Sequence, residues 1–299
     1  MADLAIIIPA YKDTFLDETI CSISAQTCKD FTLYIGDDCS PYNIEKIVEA
    51  YKDKINIVYK RFEINYGKDN LVAQWERCIS MSKEEKWIWL FSDDDVMEPN
   101  CVEAFYDEIK KTTYDIYHFN VIVIDDKSHL KYIPATYPKV ISSYEFYKKK
   151  MSGKIMSLVV ENIFTRDIYV RNRGFQNFDL AWGSDTATWV KFAFEKGLYT
   201  ISTAHILWRV SDQNISPNNS TDIVERKVNA LISFFDWSNN YFKSKGIDSS
   251  LFNLYAFIKR LRYFKKFIDS KTIDNSIKKS LQNYRFKWLF HLIKLIVKL

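Results

Sequence analysis

Over its first hundred residues the chain alternates short apolar runs with longer amphipathic stretches. The runs at residues 4–9, 31–36, 55–59 and 87–91 have the length of buried strands. The stretches at 15–26, 44–51 and 71–81 carry helical periodicity. Parallel strands need a crossover of a dozen or more residues, usually a helix, so this rhythm predicts βαβ units. The expected result is an α/β domain whose mainly parallel sheet is covered on both faces. Ligands of such sheets sit beyond the carboxyl ends of the strands.

Three features fall at those ends: Pro9-Ala10-Tyr11 after the first strand, Asp37-Asp38 after the second, and Asp93-Asp94-Asp95 after the fourth. Packed carboxylates tolerate one another when a cation neutralises them, which points to a metal. A divalent ion held by one or two carboxylates completes its sphere with water and substrate phosphates, so a nucleotide diphosphate is the natural ligand. An acidic loop capping a helix that starts near Pro99 is the other reading of the triplet.

A further strand is expected at 115–125, a lysine-rich helix at 144–151, and a helix at 186–195 that Asp185 opens and Gly197 ends. Around 214–221 the composition turns to Asn, Ser and Pro, which marks a loop and a domain boundary. The division is therefore a first domain at 1–216 and a helical extension at 217–299. Charge divides in the same place: residues 216–299 hold 16 Lys and Arg against 6 Asp and Glu, leaving a net −6 on the first 215 of a chain whose total is +4.

The opening segment LAIIIPAYKDTFLDETICSISAQTCKDFTLYIGDDCS, the stretch NYGKDNLVAQWERCISMSKEEKWIWLFSDDDVMEP and the later GSDTATWVKFAFEKG together resemble family 2 glycosyltransferases of the GT-A fold. The motifs that carry the resemblance are Pro9-Ala10-Tyr11, Ser22 to Thr27, Asp37 to Ser40 and the triplet, and it spans residues 4–216. It implies a Rossmann-like mainly parallel sheet flanked by helices, with a C-terminal helical extension, and an inverting transfer from a nucleotide sugar. It also implies a divalent metal, Mn²⁺ or Mg²⁺, on the donor diphosphate.

By the same resemblance Asp95 is the direct metal ligand, with Asp93 and Asp94 toward ribose and water. The register stays open between Asp93-x-Asp95 and a final Asp94-Asp95 pair. Asp38 matches the aspartate that accepts a hydrogen bond from the base, usually uracil, which makes the donor UDP-linked. Pro9, Ala10 and Tyr11 match the turn that cradles the base, although Tyr11 also suits core packing. Asp185 matches the base that takes the acceptor proton, and N-capping is its alternative. Where many relatives carry Arg-x-His, this chain has Arg209 and Ser211. Either Asp212 or water then fills the metal's coordination sphere, or Arg209 and Lys68 take more of the phosphate charge, unless both cations are solvated surface charges.

Residues 286–299 (FKWLFHLIKLIVKL) gather Lys287, His291, Lys294 and Lys298 in one helical stripe. At 1.5 Å per residue they would span roughly 21 Å, too short for a bilayer of about 30 Å. With the basic cluster at 259–266 upstream, the expectation is a helix on an anionic membrane surface, or one docked on protein or in a homodimer. No nucleic-acid module surrounds the cluster. The N-terminus enters an apolar strand without a basic region and cleavage site, and the five cysteines form no metal-type cluster. Both suggest a cytoplasmic chain, and the basic tail suggests one peripheral on the membrane whose acceptor is a lipid-linked or surface glycan. A nucleotidyltransferase, and a membrane-attached assembly protein that binds nucleotide sugars without transfer, are the alternatives.

Overall fold

The computed structural model describes residues 3–211 and 219–267. In chain order its elements are strand β1 (Leu4–Ala10), helix α1 (Leu16–Ser24), β2 (Thr32–Asp37), α2 (Ile44–Glu49), β3 (Ile57–Arg61), α3 (Leu71–Ile79), β4 (Trp87–Leu90), β5 (Val96–Met97) and α4 (Cys101–Ile109). There follow β6 (Ile116–Ile124), β7 (Leu130–Tyr132), β8 (Val140–Ile141), α5 (Ser143–Ser152), β9 (Asn162–Thr165), α6 (Arg166–Arg171), α7 (Ser184–Phe192) and β10 (Leu198–Arg209). Helices α8 (Thr221–Ser244) and α9 (Ser250–Phe264) end the described chain.

The sheet runs β3-β2-β1-β4-β9-β6-β10-β5, with β7 beside β6 and β8 beside β10. Strands β3, β2, β1 and β4 are mutually parallel, and β9 is inserted antiparallel to both β4 and β6. The order explains where a ligand can sit. From β1 the chain moves outward through β2 to β3, then α3 returns it to the opposite side of β1 as β4. Right-handed crossovers in opposite directions put α1 and α2 on one face and α3 on the other. The crevice they leave lies between the carboxyl ends of β1 and β4, the topological switch point.

β1, β2 and β4 are buried along nearly their whole length because helices cover both faces. Trp89 of β4 anchors the middle of the sheet, stacked on Phe119 with ring centroids 5.3 Å apart and its indole N–H donating to the Val160 carbonyl at 2.7 Å. Trp75 is also a core residue, edge-on to Phe175 at 5.5 Å. Asn70 caps α3 by accepting from the Ala73 amide, and Asn43 does the same for α2 through Lys46.

Contacts group the chain into two units. The first comprises Met1–Gln176 and Thr188–Ser211, and the second Asn177–Ala187 with the chain from Asp212 on. The second unit is aromatic at its centre: Phe235 of α8 meets Phe257 of α9 at 5.4 Å, and Phe178 lies edge-on to Phe234 at 5.8 Å. Gly183 is required there twice over. Its φ is +89°, and a Cβ would stand 2.9 Å from the Phe234 ring. Asp179 and Arg226 close the segment onto α8 with two bonds of 2.9 and 2.6 Å.

Among the described residues no helix is long and apolar enough to cross a membrane. The stripe at 286–299 lies outside the described residues, as does Asp212. All five cysteines are unpaired.

Candidate active site

The chain leaves β1 at Ala10 and turns through Tyr11 and Lys12, whose backbone amides both donate to Asp93 Oδ2 at 2.9 Å. The neighbouring turn after β2 closes on the same point: the Asp38 amide donates to the Ala10 carbonyl at 2.9 Å, and Ser40 Oγ to the Tyr11 carbonyl at 2.6 Å. Tyr11 is thus pinned through its N–H and its C=O while its side chain remains exposed. A rigid backbone fixes the root of that exposed ring at the carboxyl end of β1. The core-packing alternative for Tyr11 does not apply. Pro9 and Ala10 pair with Gly36 and Asp37 of β2, so they shape the floor of the turn.

The three aspartates do different things. Asp93 spends one oxygen on the two amides and faces the Lys12 ammonium with the other at 3.4 Å. Burial raises its pKa, opposed by Lys12 and by the two amides. Asp95 is almost wholly inaccessible: Ser92 Oγ donates to Oδ2 at 2.5 Å and the Arg209 amide to Oδ1 at 2.7 Å. Burial, then the adjacent Asp94 charge, pushes its pKa well above the ordinary range. Asp94 is paired with the Lys12 ammonium through Oδ2 at 2.6 Å, and among the described residues nothing holds its Oδ1. The open carboxylate of the triplet is Asp94 rather than Asp95.

That geometry bears on the metal. No three His, Cys, Asp or Glu side chains converge on one point among the described residues, so those residues alone offer no cage. One open carboxylate oxygen, Asp94 Oδ1, fits a hard divalent ion that brings the rest of its sphere as water and phosphate oxygen. Asp95 already accepts one bond on each oxygen, from Ser92 Oγ and from the Arg209 amide that ties β10 to the turn, whereas Asp94 Oδ1 accepts none among the described residues.

Arg209 is neither a surface cation nor a free phosphate ligand. It is fully buried, donating from Nε to the Asp94 carbonyl at 2.8 Å, from Nη1 to the Asp125 carbonyl and Ser128 Oγ at 3.0 Å each, and from Nη2 to Glu18 Oε2 at 2.6 Å. The guanidinium also lies 4.3 Å from the Phe15 ring centroid. It braces the triplet from behind. Ser211, where a histidine was expected in relatives, is buried at the end of the first unit.

Asp38 is likewise built into the fold. Its oxygens accept from the Tyr66 and Gly67 amides at 2.7 Å each, and Arg77 of α3 donates to Oδ1. Three donors leave at most one of the carboxylate's four lone-pair positions for a base N–H. Burial raises its pKa, offset in part by those same donors. Gly67 is needed for the approach, since a Cβ there would fall 2.6 Å from Asp38 Oδ2. The Arg77 guanidinium is sandwiched between Phe62 and Tyr66, 3.9 and 4.3 Å from their ring centroids. Asp38 and Arg77 therefore fix the loop after β3 beside Tyr11. Lys68 projects from that loop with an exposed side chain. Asp37 pins its own turn through the Ser40 amide at 2.8 Å, Tyr59 and Arg61.

Asp185 stands in the first turn of α7, in the second unit. Its Oδ1 lies 3.3 Å from the Thr186 hydroxyl. Sequence reading missed Lys12, Glu18 and Arg77 as members of the site. The signal for Lys12 is a lone cation at the end of β1, opposite three carboxylates at the end of the adjacent strand.

A mainly parallel sheet with acidic turns and an exposed Tyr11 at its switch point defines an α/β protein whose ligand crevice lies beyond the carboxyl ends of β1 and β4. The family 2 glycosyl transferase profile matches residues 5–172, and the chain belongs to that family. It is 27% identical over 222 residues to an uncharacterized glycosyltransferase of Rickettsia typhi, covering 70% of this chain and 64% of that protein. A Mycoplasma pneumoniae glycosyltransferase is 25% identical over 224 residues, covering 72% and 67%. The chain thus spans less than two thirds of the length of the Rickettsia relative. Among solved structures, S. aureus TarS residues 1–349 in complex with UDP-GlcNAc superposes with a TM-score of 0.60 at 14% identity, covering 95% of this chain and 90% of that one. GalNAc-T7 with UDP, GalNAc and Mn²⁺ gives 0.57 at 11% identity, covering 97% and 56%. These likenesses establish the GT-A fold, with C-terminal helices following the sheet.

Proposed function

We propose that this protein transfers a sugar from a nucleotide-sugar donor, UDP-linked, to a hydroxyl of a lipid-linked or surface glycan, with inversion. The observation that carries the reading is the construction of the switch-point crevice: Tyr11 is held rigid by Asp93 and Ser40 with its ring exposed, beside the open Asp94 carboxylate. An aromatic face stacks a base, and an unpartnered carboxylate oxygen suits the divalent ion that a donor diphosphate brings. Family membership and the UDP complexes of TarS and GalNAc-T7 support the donor class.

In this reading the base lies on Tyr11, walled by the loop that Asp38 and Arg77 fix, and Lys68 reaches toward the phosphates. A divalent metal, Mn²⁺ or Mg²⁺, would be held through Asp94 and neutralises charge on the departing diphosphate when bound. Asp185, assigned from its place in the Gly-Ser-Asp motif, takes the proton of the acceptor hydroxyl as that oxygen bonds to the anomeric carbon. The carbon–phosphate oxygen bond breaks, and the nucleoside diphosphate leaves. The basic stripe at 286–299 is the proposed attachment to an anionic cytoplasmic membrane surface.

A panel of UDP-, GDP- and CMP-sugars tested by calorimetry with Mn²⁺ examines the donor. UDP compounds are expected to bind, and binding of only GDP or CMP compounds overturns the uracil assignment. Asp185→Asn should lower transfer by about 10³-fold or more and leave UDP affinity within about twofold. Full turnover in that variant removes Asp185 as the base.

A further inference from the structure

The least expected member of the site is Lys12. Its backbone amide is fixed by Asp93 Oδ2, so the root of the side chain cannot wander. Its ammonium stands 2.6 Å from Asp94 Oδ2 and 3.4 Å from Asp93 Oδ1, the place a cation shared by those two carboxylates would take. The other nearby cation offers no substitute: the Arg209 guanidinium is spent on carbonyls, Ser128 and Glu18, and reaches none of the triplet's carboxylates. The side chain of Lys12 is 26% exposed, which leaves its flexible stem room to swing outward.

We propose that Lys12 is a built-in counter-cation that occupies the metal's place at Asp94 and yields it only when a divalent ion arrives together with a nucleoside diphosphate. This rests on the donor reading above. A divalent ion that comes to Asp94 alone stands beside the ammonium, and must push it off Oδ2 and leave it unpaired or bear its repulsion. When the ion comes with a diphosphate, the displaced ammonium gains an anionic partner. Metal and nucleotide therefore bind cooperatively, and by linkage each raises the affinity of the other by the same factor. A protein built in this way binds little metal until donor is present.

The test is Mn²⁺ titration followed by electron paramagnetic resonance, with and without UDP, on the full chain and on Lys12→Met and Lys12→Arg. Without UDP, Lys12→Met should bind Mn²⁺ at least tenfold more tightly than the wild type, while Lys12→Arg should stay weak because it keeps the charge. UDP should tighten Mn²⁺ binding to the wild type by tenfold or more and to Lys12→Met by much less. Equal Mn²⁺ affinity in wild type and Lys12→Met overturns the proposal, as does tight binding that survives Asp94→Asn. Calorimetry of UDP on the same samples keeps two failures apart: UDP that binds with no Lys12 effect sinks only the counter-cation, whereas UDP that does not bind sinks the donor reading with it.

Discussion

Two acidic turns flank β1, one after β2 and one after β4, and they look alike in sequence but not in use. At Asp37 and Asp38 the carboxylate oxygens are met by donors that belong to the fold: backbone amides, Tyr59, Arg61 and Arg77. At the second turn Asp95 follows the same rule and Asp93 does so through Oδ2, while Asp94 answers only to an ammonium on a flexible stem. A buried carboxylate with fixed donors holds structure, and one with a removable partner is available for ligand. Acidity at a strand end does not separate the two, but the mobility of the partner does.

The largest effect expected from that contrast is on activity. Asp94→Asn should cut transfer by about 10³-fold, the scale of losing one electrostatic stabiliser of a departing group, while its denaturation midpoint stays within error. If Asp94→Asn retains full turnover and Asp95→Asn does not, the roles of the two are reversed. Next comes Asp38→Ala, which strands two amides and a guanidinium and should cost about 3 kcal/mol in urea denaturation. An equal loss in Asp94→Ala would erase the distinction between the turns. Gly67→Ala forces a Cβ against Asp38 and should cost about 1–2 kcal/mol, with a weaker nucleotide affinity by calorimetry. An unchanged affinity would detach the loop from the donor.

The smallest expected effect extends the rule to a cation away from either turn. Lys191 donates to the Asn172 and Gly174 carbonyls at 3.1 Å each, and burial, opposed by Glu76, lowers its pKa from 10.5 to about 8. Between pH 8 and 10.5 the folded protein then binds fewer protons at this site than the unfolded chain, so stability should rise with pH across that window. Lys191→Met should flatten that part of the curve in thermal melts at stepped pH. A slope that persists would assign it to other groups.

Much of this was legible from residues alone. The strands β1, β2 and β4 announce themselves as buried apolar runs, and their carboxyl ends locate the acidic turns without coordinates. In the second half of the sheet β6 is legible too, but β9 and β5 are short segments with no alternation or apolar run that singles them out, and they exist through their pairing. The roles inside the triplet resist for another reason. Which of three consecutive carboxylates meets an amide depends on the direction of backbone N–H groups 82 residues away. Arg209 looked like a surface or phosphate-binding cation because its partner Glu18 lies 191 positions earlier, and no local rule links them.

Arg209 also sets an order on how the site comes into being. Its amide and guanidinium reach back 114 and 115 positions to Asp95 and Asp94, across one of the longest sequence separations in the first unit. Contacts of that span are slow to form in a folding chain because a large loop must close first. On a ribosome the Tyr11 turn and β4 emerge long before β10 does. A nascent chain should thus gain its Tyr11 turn early and its set triplet late, and a fragment ending before Arg209 should fold toward the first and lack the second.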